Sequence, residues 1–145
     1  MTLVYADPMT QRRLSAEGER QSEAMGRAFR ELGIEPGEVV ASPMQRTRRM
    51  AELMFGTVTL DSVWHTRGDN YAAKRELRRE LLSKPVPNGN RIIISHIGTL
   101  QSVLGEDVRM QEGDCTVLRP TGSSFTMVGT VPWRDWLDAA ERAHR

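Results

Sequence analysis

The chain has 145 residues, room for one domain and too little for a second independent core. Its composition, 39% hydrophobic, 27% charged and 6% aromatic, is that of an ordinary globular chain and sets aside the disordered, collagenous and membrane classes. Twenty basic residues against 19 acidic ones leave a net charge of +1, so the global field argues for neither nucleic acid nor an anionic membrane as a partner.

Short β-branched runs alternate with longer stretches of helical period, the pattern of an α/β domain with crossover connections. Thr2 to Tyr5 is a brief strand-like run before the turn signal Asp7-Pro8. Ser15 is placed to cap a helix whose apolar positions Met25, Ala28, Phe29 and Leu32 repeat at i, i+3, i+4 and i+7, with Gly33 ending it. Val39 to Ala41 is a short buried-strand candidate. Ser42 and Pro43 then read as the cap and first position of a second helix with Met50, Ala51, Met54 and Phe55 inward and Gly56 closing it. Val58 to Leu60 is a further short strand, and Asp61 to Tyr71 lacks a sustained period, as an excursion over the sheet edge would. A charged helix over Tyr71 to Leu82 carries Leu77, Leu81 and Leu82 as its apolar positions. The continuous run Ile92-Ile93-Ile94 predicts a central strand covered on both faces. Cys115 to Arg119 and Phe125 to Thr130 predict an antiparallel hairpin, and Pro132-Trp133 opens a last helix with Trp136 and Leu137 inward.

The single cysteine, Cys115, excludes an internal disulfide, and no Cys/His cluster has metal-ligand spacing. Neither a metal nor another cofactor is expected. No apolar run reaches membrane-spanning length and no charged-then-apolar leader opens the chain. A cytoplasmic location is expected for the sequence as written, with export open if a segment precedes Met1.

Two stretches can carry chemistry. In Val39-Val-Ala-Ser-Pro-Met-Gln-Arg46 a strand runs into a helix start, and residues just beyond the carboxyl end of a strand in an open α/β sheet lie where ligands bind. A helix N-terminus also offers N–H groups to an anion, so Arg46 is a candidate phosphate ligand; with Arg48 and Arg49 following, a solvated helix surface is the alternative. In Ile92-Ile-Ile-Ser-His96-Ile-Gly98, His96 follows a buried strand and reaches the same edge. His65 and His144 have no such setting and are read as surface residues. Eighteen of the 20 basic residues are Arg, a bias that reads first as genome composition, although Arg is also the better bidentate phosphate ligand.

Ser42-Pro-Met-Gln-Arg46 resembles the S-P-x-x-R motif of the histidine phosphatase superfamily, the phosphoglycerate-mutase-like fold, and Ser95-His96-Ile-Gly98 resembles its second-histidine motif. Leu14-Ser-Ala-Glu-Gly18-Glu-Arg-Gln21 is similar to the family's helix start. The order and spacing agree from about Thr10 to the end, including the terminal hairpin and Trp-containing helix of its smaller bacterial members. The resemblance implies a three-layer α/β/α sandwich with a mainly parallel sheet, formed as a single domain. It also implies hydrolysis of a phosphomonoester or phosphohistidine without metal, through a phosphohistidine intermediate. By position Arg46 matches a phosphate-binding arginine and His96 the second histidine, a catalytic and phosphate-binding residue. The partner implied is a phosphorylated small molecule or a phosphohistidine protein; the oligomeric state stays open. Ser42 is expected to cap the helix rather than touch substrate.

The family's nucleophile lies in an R-H-G motif ending the first, central strand. This sequence has no Arg-His dipeptide there and no His before His65. Either Thr2 to Tyr5 is that strand, with Tyr5 and Ala6 where Arg and His would stand, and the chain is a pseudoenzyme binding phosphate ligands or a protein partner. Or strand and motif lie upstream of Met1, and Thr2 to Arg13 belongs to the following loop. Only seven residues separate Ala6 from Leu14, which favours the second alternative. Met50 stands where the family usually has Thr. No general acid is identified; Glu52, Asp69 and Glu76 are equal candidates.

Overall fold

The computed structural model describes residues 1–6, 15–65, 71–86, 88–105 and 107–144. The Asp7-Pro8 turn, the Leu14 that opens the family-like helix motif, and Asp69 lie outside the described residues. Six strands form one sheet: β1 (Thr2–Ala6), β2 (Pro36–Ala41), β3 (Thr59–Leu60), β4 (Asn90–Ser95), β5 (Cys115–Pro120) and β6 (Phe125–Val131), in the order β3-β2-β4-β1-β5-β6. β1, β2, β3 and β4 run parallel, and β5 and β6 add an antiparallel edge beside β1. Helices α1 (Ala16–Glu31), α2 (Gln45–Phe55), α3 (Tyr71–Ser83), α4 (Ile97–Leu104) and α5 (Trp133–Ala143) complete the fold, with a 3-10 turn at Ser62–Trp64.

The alternation of side chains along each strand divides the core into two layers. Leu3, Tyr5, Val39, Ala41, Ile92 and Ile94 point to one face and meet Met25 and Phe29 of α1 and Met50, Ala51 and Met54 of α2, with Trp136 and Leu137 of α5 packed on. Val4, Ala6, Val40 and Ile93 point to the other, against Leu82 of α3 and Leu100 and Val103 of α4. Ile92, Ile93 and Ile94 are buried on both faces, as a central parallel strand requires. The predicted three-layer α/β/α sandwich is the observed one.

Three expectations change. Thr2–Ala6 is no loop: it is an interior strand of the sheet, with Tyr5 opposite Ile94 on one side and Cys115 on the other, and all five residues are buried. Counting loop residues misled because five buried residues with partners on both sides need no further length to make a strand. The second helix starts at Gln45, not Pro43, and its N-cap is Met44 without a side-chain cap bond. Ser42 is drawn into the site instead. On α3, Leu77 is exposed while the neighbouring Arg78 is buried, so the inward face runs through Arg78 and Leu82. The first helix conforms to its sequence: Ser15 Oγ accepts from the Gly18 N–H at 3.0 Å, and Gly33 follows its end with φ +72°.

Candidate active site

The carboxyl ends of four adjacent strands converge. Ala6 is level with Ser95 across β1 and β4, the Ser42 N–H donates to Ile94 O at 3.1 Å, and the Asp61 N–H donates to Ala41 O at 2.9 Å. From the neighbouring ends of β2 and β4, α2 and α4 depart to opposite faces of the sheet. That divergence opens the crevice in which open α/β sheets bind ligands.

Arg46 and His96 meet there. Arg46 Nη2 lies 3.3 Å from His96 Nδ1, and His96 Nε2 lies 2.8 Å from Ser42 Oγ. Ser42 Oγ is 2.9 Å from Thr47 Oγ1, which in turn reaches the carbonyls of Ser42 at 2.8 Å and Met44 at 3.0 Å. A guanidinium can only donate, so Nδ1 accepts from Arg46 and the ring proton sits on Nε2, donating to Ser42. The Ser42 hydroxyl then donates to Thr47, and Thr47 to backbone oxygen. This directional chain locks the imidazole in one tautomer. Ser42, Thr47 and His96 are all buried, so each donor in the chain needs its acceptor.

Helix termini face the same crevice. His96 is the N-cap of α4 and Met44 that of α2, and neither makes a side-chain cap bond. Helix starts are where backbone N–H groups are offered to anions, and both stand at the edge of this crevice. Gly98, at the second position of α4, is exposed, so no side chain screens the backbone there.

The model of the histidine phosphatase superfamily (branch 1) matches residues 8–67. Solved structures agree over the whole domain. The protein histidine phosphatase SixA, in complex with tungstate, superposes with a TM-score of 0.68 at 13% identity, covering 92% of this chain and 97% of that one. Phosphoserine phosphatase from Entamoeba histolytica, in complex with 3-phosphoglyceric acid, gives 0.63 at 11% identity over 90% and 96%. Phosphoglycerate mutase from Plasmodium falciparum gives 0.61 at 15% identity over 90% and 92%. The chain has the histidine phosphatase fold. A search of the curated proteins by sequence finds no match.

Within the histidine phosphatase fold the two residues read from sequence, Arg46 and His96, are neighbours in one crevice. Ser42 bonds the His96 ring and does not cap α2. Met50 is core, packed between α1 and the sheet. Glu52 pairs with Arg48 and Arg49 at 3.7 and 3.8 Å on the outer face of α2, and Glu76 lines a groove between α3, α4 and the β5–β6 turn; neither meets the His96 chain. Tyr5 is turned into the core, 6.0 Å from the Phe29 ring. Burial first, then its neighbour Cys115, hold its phenol well above the ordinary tyrosine value.

His65 is the site residue that sequence reasoning missed. Far from being a surface residue, it is half-buried, its ring centroid is 5.7 Å from that of His96 at an interplanar angle of 79°, and its Nε2 lies 3.2 Å from Met44 Sδ. His144 is exposed as expected, 3.5 Å from Glu31. The signal for His65 was its place just after the β3 edge strand, whose carboxyl end adjoins that of β2.

Proposed function

We propose that the crevice between β2 and β4 binds the phosphoryl group of a phosphomonoester or a phosphohistidine protein, with Arg46 and His96 as its ligands. The observation that carries this reading is the chain from Arg46 through His96 and Ser42 to Thr47, set beside two helix N-termini without side-chain caps. Phosphoryl oxygens carry negative charge throughout transfer, so fixed cationic and N–H donors supply most of the stabilisation. Arg46 supplies a charge and a planar donor fork. His96 supplies a ring whose orientation is already fixed, and the backbone of α4 supplies N–H groups at no entropic cost.

Turnover by the family route needs a histidine nucleophile where β1 ends. Ala6 occupies that end, and Tyr5 before it serves the core. On this reading the 145-residue chain binds its phosphorylated ligand without forming a phosphohistidine there, and the lineage is hydrolytic while the chain itself acts as a binding module. Inorganic phosphate or tungstate should raise the melting temperature. At a hundredfold excess over Kd the gain is about 2.7 kcal/mol, several degrees for a domain of this size, and Arg46→Ala should remove it. Robust hydrolysis of an aryl phosphate by the purified chain would refute the non-catalytic part. Equal stabilisation of wild type and Arg46→Ala would refute the assignment of the pocket.

A further inference from the structure

The loop carrying His65 is held far more firmly than an edge-strand excursion needs. Three consecutive carbonyls are taken by buried side chains. Arg78 donates through Nε to Val63 O and through Nη2 to His65 O at 2.9 Å, and Ser95 Oγ donates to Trp64 O at 2.6 Å. Arg78 is only 2% exposed, and taking a guanidinium out of water costs several kcal/mol unless its N–H groups are matched. Its Nη1 also reaches Ser102 Oγ on α4 at 3.4 Å, so the clamp is tied to the helix whose N-cap is His96. Ser95 is the residue before His96. The loop and the second-histidine motif are thus fixed to one another at two points.

The consequence is local. Val63 and Trp64 pack with Ala6, Val40 and Ile93 under the sheet end, while His65, the next residue, turns its ring toward His96 and the start of α2. Two imidazoles and one guanidinium therefore border a single opening. Resting on the reading of the crevice as a phosphoryl site, we propose that His65 is a third ligand of the bound phosphoryl group, positioned by the Arg78 and Ser95 clamp. It would donate a ring N–H to a phosphoryl oxygen at the mouth of the crevice, so that the two touching imidazoles share one anion along their common edge. A chain with alanine at the end of β1 thereby regains an imidazole contact from a different strand end.

Calorimetric titration of the full chain with tungstate and with inorganic phosphate tests this. Wild type should bind, and Arg46→Ala should lose binding. His65→Ala should weaken it about ten- to hundredfold, the range for one hydrogen bond to a charged group. His65→Gln, which keeps an N–H donor, should recover part of the loss and guards against a folding defect in the alanine variant. In wild type the His65 ring 15N resonances should move on adding phosphate, which a purely structural histidine would not show. Binding by His65→Ala and His65→Gln within twofold of wild type, or unmoved His65 resonances at saturation, would overturn the role of His65 and leave the Arg46 pocket standing. Failure of wild type to bind either anion would overturn both.

Discussion

At the scale of single residues, the site depends on a hydroxyl that no phosphate need touch. Ser42 accepts from His96 Nε2 and donates to Thr47, so Ser42→Ala leaves a buried ring N–H without an acceptor. The cost is about 1–3 kcal/mol of stability, measurable by denaturant unfolding, and anion affinity should fall with it because the imidazole is no longer held. A variant as stable as wild type would contradict the directional chain. The same chain has a second outcome. Arg46 now donates to His96 Nδ1; when that N–H turns to a phosphoryl oxygen, Nδ1 loses its donor and can serve the anion only by taking up a proton. Calorimetric heats of phosphate binding should therefore differ between buffers of different ionisation enthalpy, in the sense of proton uptake. Identical heats would show that Arg46 stays on the ring.

Between elements, the close contact of α1 with the last turn of α2 depends on a missing methyl group. A Cβ on Gly26 would stand 2.7 Å from Met54 O and 2.9 Å from Met54 Cα, backbone atoms that move only with their helix. Gly26→Ala should destabilise the domain by about 1–3 kcal/mol, despite alanine's better helix propensity, and a raised midpoint in urea would contradict this. Much of this level was legible in sequence. The caps of α1, the buried triplet of β4, the β5–β6 hairpin and the Trp136 face of α5 follow from period and turn chemistry. The failures have physical causes. β1 is too short to show a period, and its rank in the sheet comes from partners far along the chain. Pro43 satisfies the rule for a helix start, but Ser42 finds a better bond across to His96. Leu77 and Arg78 exchange expected places because three acceptors, Val63 O, His65 O and Ser102 Oγ, let a guanidinium enter the core. His65 escaped because two-residue β3 offers no pattern from which to project its loop.

For the molecule as a whole, the buried pair Tyr5 and Cys115 sets an alkaline limit. Burial raises the pKa of both groups above their ordinary values, the Tyr5 phenol well above its own. Such groups contribute stability that is intact below the unfolded value, about 8.5 for a thiol and 10 for a phenol. It is lost as the pH rises from there toward the folded value, because the unfolded chain releases its proton first. The melting temperature should drop between about pH 8.5 and 11, and Cys115→Ala should flatten the lower part of that drop at some cost in packing. An unchanged profile in the variant would assign the loss elsewhere. The interior position of β1 bears on synthesis as well. Its neighbours, β4 and β5, lie about ninety and one hundred and ten residues downstream, so on the ribosome Thr2–Ala6 emerges early and waits for nearly the whole domain. Contacts of such sequence separation are slow to form, and an apolar strand left open for that time invites association with other chains. Whatever the pocket binds, the yield of folded protein will depend on how long that wait lasts, and slower translation through residues 90–120 should lower it.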